Sequence, residues 1–136
     1  MKLRRPHAVP LSRQVKGYLE RLAEFTGRNG YLFPSARSNT RPMSENTLNA
    51  AFRTMGFTSE EVTAHGLRST ASTLLNESGR WNPDAIERAL AHGDSNAVRG
   101  AYHRGTHWDE RVRMAQWWSD YLDMLRNGAN ILPFAA

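Results

Sequence analysis

The sequence predicts a mainly α-helical fold of about five to six helices, with a short β-strand remnant near its N-terminus. Apolar residues recur at three- and four-residue spacing, and helix start and stop signals bracket those stretches. A proline-containing apolar segment near the N-terminus is typical of an edge strand. The length of 136 residues is that of one domain, and 40% hydrophobic residues can fill its core.

The N-terminal half predicts one strand and two helices. The predicted strand covers residues 8–11, and it is predicted as an edge strand because Pro10 cannot donate to a β-ladder. Ser12 is the predicted N-cap of a first helix that stops at Gly27. A second helix starts at Ser44 and ends near Gly56. The predicted inward positions recur at helical spacing: Val15, Leu19, Leu22, Phe25, Leu48, Phe52 and Met55.

The C-terminal half predicts four helices. The third runs from about His65 to Gly79, and the fourth runs from an Asn82 cap to Gly93. A short helix follows at residue 95, and the longest covers about 107–126 behind a capping box at 106–109. The predicted inward positions of these helices are Leu67, Leu74, Leu75, Ile86, Leu90, Val98, Tyr102, Val112, Trp117, Tyr121, Leu122 and Leu125.

The overall charge favours a polyanionic partner such as nucleic acid. Eighteen Lys and Arg residues against thirteen Asp and Glu residues give a formal net charge of +5. The chain has no cysteine, so a disulfide framework and a thiolate zinc site are excluded. No apolar run approaches the roughly 20 residues that cross a bilayer. The absence of cysteine fits a reducing cytosol, so we expect a cytoplasmic protein.

His65 and Arg68 form the first candidate pair for chemistry on a phosphate. At positions i and i+3 of a helix, their side chains share one face. Arginine offers a planar, permanently charged fork for phosphate oxygens, and histidine exchanges a proton near neutrality. On spacing alone, an ordinary helix start with two polar residues facing water is the commoner interpretation.

Tyr102 is the candidate nucleophile, because several basic residues surround it in sequence. A tyrosine can form a covalent ester with phosphorus, but a half-buried aromatic is the alternative, as we expect for Tyr18, Tyr31 and Tyr121. His92 sits at a helix end, where the helix dipole alone could account for it.

Two further features receive structural interpretations. His103 and His107 have a spacing that can suit a metal, but no third ligand is evident, so we predict no metal site. The Trp117-Trp118 pair lies in an amphipathic helix and is interpreted as core packing.

Taken together, these segments resemble the catalytic domain of the tyrosine recombinases, the phage integrase family, and prophage and genomic-island integrases in particular. The segment TAHGLR at 63–68 resembles the His-x-x-Arg motif, and LAHG at 90–93 the second-histidine motif. The segment AYHR at 101–104 resembles the nucleophile segment, at the usual distance from that histidine. The opening MKLRRPHAVPLS at 1–12 is similar to the family's β-hairpin, with Lys2 at the catalytic lysine.

The resemblance implies site-specific DNA recombination through a 3′-phosphotyrosine intermediate. By this resemblance, Tyr102 is the nucleophile, and Arg68 contacts the non-bridging oxygens and stabilises the charge of the transition state. His65 helps to transfer the tyrosine proton and contacts the phosphate, His92 hydrogen-bonds a phosphate oxygen, and Lys2 is the general acid. It implies no metal or nucleotide cofactor. The implied partners are double-stranded attachment-site DNA and further integrase protomers, in a tetramer on DNA for the full-length parent.

The sequence departs from the family pattern in one respect. A further arginine upstream of the hairpin and the N-terminal DNA-gripping domain are absent from these 136 residues. We therefore expect residues 1–136 to be the C-terminal part of an integrase catalytic domain with little or no activity alone. The apolar tail at 131–134 fits docking on a neighbouring protomer, but packing on its own domain is favoured for the isolated chain.

Three other interpretations stay open at this point. In the first, the chain is a basic helical DNA-binding module without catalysis. In the second it is a protein-interaction domain with incidental charge, and in the third it is a relative of the type IB topoisomerases. The histidine at position 92 and the opening segment favour a recombinase over the topoisomerase.

Overall fold

A computed structural model describes residues 7–27, 30–91 and 107–128, and within them the mainly helical prediction is confirmed. The helices are α1 (Arg13–Thr26), α2 (Thr47–Thr54), α3 (Ala64–Glu77), α4 (Pro83–Ala89) and α5 (Trp108–Arg126). Strands β1 (Pro34–Ser35) and β2 (Ser38–Pro42) pair antiparallel. The helix predicted at residue 95 lies outside these ranges. None of the described helices has the length and apolar character needed to span a membrane.

The described residues form two compact units. The first contains residues 7–12, 72–91 and 107–128, and the second contains residues 13–27 and 30–71. The core of the first unit is built on Ile86, Met114 and Leu75, which are 0%, 2% and 5% exposed. Each such side chain stabilises the fold by about 1.5–3 kcal/mol on burial. Partly buried residues that pack against this core are Trp81, Ala89, Leu90, Trp117 and Trp118.

The inward face of α5 differs from the predicted one by a rotation about the helix axis. The prediction was wrong for Val112 and Leu122, which are 41% and 44% exposed. The buried positions are instead Arg111, Met114 and Tyr121, which recur at three- and seven-residue spacing. Trp117 and Tyr121, which were both predicted to face inward, stack with their ring centroids 5.5 Å apart.

Helix α4 begins as predicted and ends early. The Asn82 side chain accepts a hydrogen bond from the Asp84 N–H at 2.9 Å, and Pro83 follows the cap. The helix stops at Ala89, four residues before the predicted Gly93. The reason is that Ala91 adopts a left-handed conformation with φ of 50° while its N–H bonds the Arg88 carbonyl.

The start of α5 uses a different cap from the predicted one. Thr106, expected as the cap, lies outside the described residues, and the N-cap is His107 with φ of 61°. Its Nδ1 lies 3.0 Å from Glu110 Oε2, and its side chain makes no cap bond to a backbone N–H of the helix, so the predicted capping box is not formed by His107.

In the second unit, α1 matches its predicted bounds but not its predicted burial. Gly27 ends the helix with φ of 78° and donates to the Ala23 carbonyl. No residue of α1 is buried, and Phe25 is 85% exposed. The inward prediction for Phe25 was therefore wrong, because within the described part of the chain no side chain closes over that turn.

Helix α2 begins three residues later than predicted. Ser44 opens a turn instead, in which its carbonyl accepts from the Thr47 N–H at 3.0 Å. Leu48 and Met55, predicted to face inward, are 47% and 69% exposed. Gly56, at the predicted stop, has φ of 94°.

The strands occur at a different place from the one predicted. Residues 7–12 contain no strand, since the Ala8 carbonyl accepts a hydrogen bond from the Arg111 side chain and Pro10 has no N–H. The sheet forms at 34–42, where Ser35 pairs with Ser38 across a tight turn. The Ser35 hydroxyl accepts from the Arg37 N–H at 3.2 Å and stabilises that turn.

Candidate functional site

The N-terminus of α3 is fixed by two side chains that bond its first N–H groups. The Thr63 hydroxyl accepts from the Gly66 N–H at 2.8 Å, which is an N-cap bond. The Asn49 side-chain oxygen, on α2, accepts from the Ala64 N–H at 2.9 Å. A Cβ on Gly66 would lie 3.0 Å from the Thr63 hydroxyl, so glycine permits this close cap. The first turn of α3 is thereby held against α2.

His65 and Arg68 project from this anchored turn. They are the second and fifth residues of α3, and at this spacing their Cβ atoms lie about 5–6 Å apart. His65 is exposed and Arg68 is half-buried. Within ranges 7–27, 30–91 and 107–128, neither side chain forms an ion pair with a carboxylate. The pair is therefore available to an external anion.

Two sources of positive potential coincide at this turn. The Arg68 guanidinium is permanently charged, and the dipole of α3 adds positive potential at the N-terminus of the helix. The Arg68 side chain is half-buried at this turn. Partial burial strengthens the attraction between a guanidinium and a bound phosphate, because less water screens it.

The loop before α3 is closed by a capping box that the sequence interpretation missed. The Glu61 carboxylate accepts from the Thr58 N–H at 2.7 Å and from the Thr58 hydroxyl at 2.9 Å. These bonds, the N–H first, hold the pKa of Glu61 below its ordinary value, and the Arg53 charge adds to the effect. The signal was present in the sequence as Thr-x-x-Glu at 58–61.

Arg53 supports the same loop from α2. Its Nη2 donates to the Val62 carbonyl, immediately before the Thr63 cap. Asn49 and Arg53 are four residues apart on α2, so one helix face bonds both the loop and the start of α3.

A shallow groove lies on the other side of α3 and does not suit a phosphate. It is lined by residues 59–63 together with Gly66, Leu67 and Thr70. With 3.6 residues per turn, these helix positions face away from His65 and Arg68. Of the described residues that line the groove, Glu60 and Glu61 are charged, and both would repel an anion.

Three predicted site residues lie outside the described ranges: Lys2, His92 and Tyr102. The structure thus brings two of the five predicted residues together, His65 and Arg68, on one face of α3.

The tyrosines and tryptophans for which a structural role was predicted differ in their exposure. Tyr121 is 9% exposed within the aromatic cluster, while Tyr18 and Tyr31 are 54% and 50% exposed. Trp117 and Trp118 pack against the core, as predicted. Within the described ranges, no group of three or more His, Cys, Asp or Glu residues is placed to hold a metal ion.

A buried arginine on α5 is the feature that sequence reasoning missed entirely. Arg111 is 5% exposed and its Nη2 donates to the Ala8 carbonyl at 2.6 Å. Its guanidinium lies 5.5 Å from the ring centroid of Trp108. Burial lowers the pKa of Arg111, and the Arg88 charge lowers it further. An arginine on an apolar stripe gives no sequence signal, because charged positions are ordinarily assigned to the surface.

The chain is similar to integrases of phages and prophages. The phage integrase family matches residues 1–107. The integrase of Enterobacteria phage P4 is 51% identical over 129 residues, 93% of this chain and 29% of that protein. Prophage integrase IntA of Escherichia coli (strain K12) is 43% identical over 132 residues, 97% of this chain and 32% of that protein.

The integrase of Shigella phage Sf6 is 37% identical over 124 residues, 90% of this chain and 32% of that protein. This chain therefore spans 29–32% of the length of these relatives. No solved structure matches the chain significantly.

Proposed function

This chain belongs to the phage integrase family, and on that premise we propose that it carries the DNA-cleaving centre of a tyrosine-type site-specific recombinase. The observation that carries the proposal is the His65–Arg68 pair at the anchored start of α3, with no carboxylate of the described chain paired to it. The longer protein would integrate and excise a prophage or genomic island. Its partners would be attachment-site DNA and other protomers, four on DNA, at the bacterial nucleoid.

The proposed chemistry is a transesterification that conserves the phosphodiester bond energy. The Tyr102 phenol oxygen attacks the scissile phosphorus, forming an O–P bond to the 3′ side of the DNA. The bond from phosphorus to the 5′ oxygen breaks, and Lys2 donates the proton that this oxygen needs. A free 5′ hydroxyl from a partner strand reverses the step and exchanges the strands. The atoms balance without an external energy source.

Arg68 and the two histidines would stabilise the charge that develops on phosphorus. Arg68 would bond two non-bridging oxygens with its planar fork, which a lysine cannot reproduce. His65, on the same helix face, would take the phenol proton, and His92 would donate to a phosphate oxygen. A positioned donor of this kind contributes about 10²–10³ in rate.

The further arginine of the family is absent from residues 1–136, so DNA cleavage would require a longer protein that contains it. We therefore design the activity tests around an extended protein, in which the part of the phage P4 integrase outside its match to this chain is joined ahead of Met1. The 136-residue chain by itself would cleave poorly or not at all.

The test is trapping of a covalent protein–DNA adduct on a nicked suicide duplex, in which the freed 5′ end diffuses away. The extended protein is expected to form the adduct, and its Tyr102→Phe variant to form none. The matched control is Tyr31→Phe, a half-exposed tyrosine of the described chain, which should react as the parent does. An adduct that persists in Tyr102→Phe would overturn the proposal.

The net charge of +5 favours a second candidate, a DNA-binding module without catalysis. That module would bind DNA with a steep salt dependence and would form no adduct. Its affinity would be the same with Tyr102→Phe. The adduct-trapping experiment on the suicide duplex, run beside a DNA-binding titration, separates the two functions.

A further inference from the structure

We propose that Arg53 is a positioning residue that holds the first turn of α3, and with it His65 and Arg68, in place for a DNA phosphate. The inference rests on the proposed function, because only there do His65 and Arg68 act on a phosphate. All three residues, and the chain between them, are described and belong to the second compact unit.

Arg53 bonds α2 to the residue that comes just before the cap of α3. Its Nη2 donates to the Val62 carbonyl, three residues before His65. A chain spans at most about 3.3–3.6 Å per residue, so Val62 lies within roughly 10–11 Å of His65. The bond of Arg53 therefore acts on the chain close to the proposed phosphate site.

The segment 62–66 transmits this restraint, because its backbone is bonded on both sides of His65. The Ala64 N–H donates to the Asn49 side chain at 2.9 Å. The Gly66 N–H donates to the hydroxyl of the N-cap residue at 2.8 Å. A shift of the segment at its first residue would therefore move the first turn of α3 with it.

The turn before α3 is bonded mainly to itself. The Glu61 carboxylate accepts from the Thr58 N–H and hydroxyl, and the Val62 N–H donates to the Thr58 carbonyl at 3.2 Å. Among the hydrogen bonds of the described residues, the bond from Arg53 is the one that joins residues 58–62 to α2. The Arg53 charge also attracts the Glu61 carboxylate, and after the two Thr58 bonds it is a further cause of the lowered pKa of Glu61.

An arginine at position 53 carries a cost that its bonds must offset. The side chain is half-buried, and its Nε is buried without a hydrogen bond. A buried donor without a partner destabilises the fold, and an apolar side chain of similar length would avoid this. The particular contribution of the guanidinium is therefore the bond to the Val62 carbonyl together with the attraction to Glu61.

The remaining bonds predict that the loss of Arg53 acts locally. The Asn49 bond to Ala64 and the Thr63 cap would still start α3 at the same residue. The expected defect is a displaced first turn in a folded protein. A displacement of about 1 Å in a group that contacts the reacting atoms can lower a rate 10²-fold.

The test compares an ordinary suicide duplex with one in which a methyl group replaces one non-bridging oxygen of the scissile phosphate. The methylphosphonate is neutral, so Arg68 has less charge to stabilise there, and a variant that acts through Arg68 should lose less. In the extended protein, we expect Arg53→Met to cleave the ordinary strand at least about 10-fold more slowly than the parent and the methylphosphonate within about 3-fold of it. DNA affinity should change little. Arg53→Lys, which keeps one donor, is expected to recover part of the ordinary rate.

The controls separate this inference from the proposed function. Thr54→Ala should leave both rates unchanged, since the Thr54 hydroxyl bonds the Ala50 carbonyl of its own helix. Arg68→Ala must show a smaller defect on the methylphosphonate; if it does not, the proposed role of Arg68 and with it the inference are overturned. If Arg68→Ala does so but Arg53→Met is slow on both substrates, or on neither, Arg53 is not a positioning residue for Arg68.

Hydrogen exchange of the 136-residue chain supplies a readout that needs no catalysis. In Arg53→Met, the Ala64 and Gly66 N–H groups should exchange at least about 10-fold faster than in the parent, while those of α5 keep the parent rates. Unchanged exchange at Ala64 and Gly66 would overturn the inference and leave the proposed function standing. A melting curve for each variant establishes that it is folded.

Discussion

The backbone N–H of Asn82 donates to the Glu110 carboxylate at 2.7 Å, so the cap residue of α4 is bonded by the third residue of α5. The other oxygen of Glu110 meets Nδ1 of His107 at 3.0 Å. One carboxylate therefore joins the first turns of two helices that pack around Ile86 and Met114. It also fixes the start of the helix that follows the segment carrying Tyr102.

This arrangement predicts a specific pH dependence of stability. The Asn82 N–H holds the pKa of Glu110 below its ordinary value, with His107 and Arg113 contributing in the same direction. A carboxyl whose pKa is lowered on folding stabilises the protein above its unfolded pKa of about 4.3, and that contribution is lost as pH falls through the folded pKa. Glu110→Gln should therefore be less stable by about 1 kcal/mol at pH 7, and the difference from the parent should be smaller at pH 3.

Urea unfolding at the two pH values measures this difference. Asp109→Asn is the matched control in the same helix turn, and it should not reproduce the pH-dependent loss. A difference for Glu110→Gln that is the same at pH 7 and pH 3 would show that the carboxylate charge is not involved.

Core packing makes a second prediction, on the first compact unit. Ile86 is 0% exposed and sits between α3 and α5 side chains, so Ile86→Ala should lower the free energy of unfolding by about 2–5 kcal/mol. Leu122→Ala, at a 44% exposed position, should change it by less than about 0.5 kcal/mol. Equal losses in thermal unfolding would contradict the rotated inward face of α5.

The anchoring of α3 makes a third prediction, which concerns Asn49. Asn49→Ala removes the oxygen that bonds the Ala64 N–H, so it should destabilise the chain by about 1 kcal/mol. Because His65 follows Ala64 directly, the same variant should slow adduct formation by the extended protein more than it weakens DNA binding. Asn46→Ala on the same helix is the control, since the Asn46 side chain makes no cap bond. A slowing shared by both variants would refute a particular role for Asn49.

Arg68 makes a fourth prediction, on the geometry of the phosphate contact. Arg68→Lys keeps the charge but loses the planar fork, so single-turnover cleavage should fall about 10²-fold or more while DNA affinity changes little. The control is Arg21→Lys, at an exposed position on α1, and it should cleave at the parent rate. Near-full activity of Arg68→Lys would mean that a point charge suffices and that Arg68 does not bond two oxygens.

Much of the fold follows from the sequence because strong local signals coincide there. The bounds of α1 and α3 and the Asn82-Pro83 start of α4 each rest on a cap or a stop signal. The failures occur where tertiary contacts decide. On α5, Val112 and Leu122 are exposed while Arg111 is buried, and no pattern in the sequence predicted that Arg111 would lie on the inward face.

The candidate site divides in the same way. The i, i+3 spacing placed His65 and Arg68 on one helix face, and the structure has them there. The supports of that face were not predicted, because the Asn49 bond joins residues fifteen apart and depends on how α2 meets α3. The gathering of Lys2, His92 and Tyr102 around the same phosphate stays a prediction.

The most direct test of the account is to identify the residue that becomes joined to DNA. The extended protein is trapped on a suicide duplex, the DNA is trimmed by nuclease, and the peptide that retains a nucleotide is sequenced by mass spectrometry. The account predicts one modified peptide, with a 3′-linked nucleotide on the oxygen of Tyr102. A nucleotide on another side chain, or one linked through its 5′ end, would contradict it.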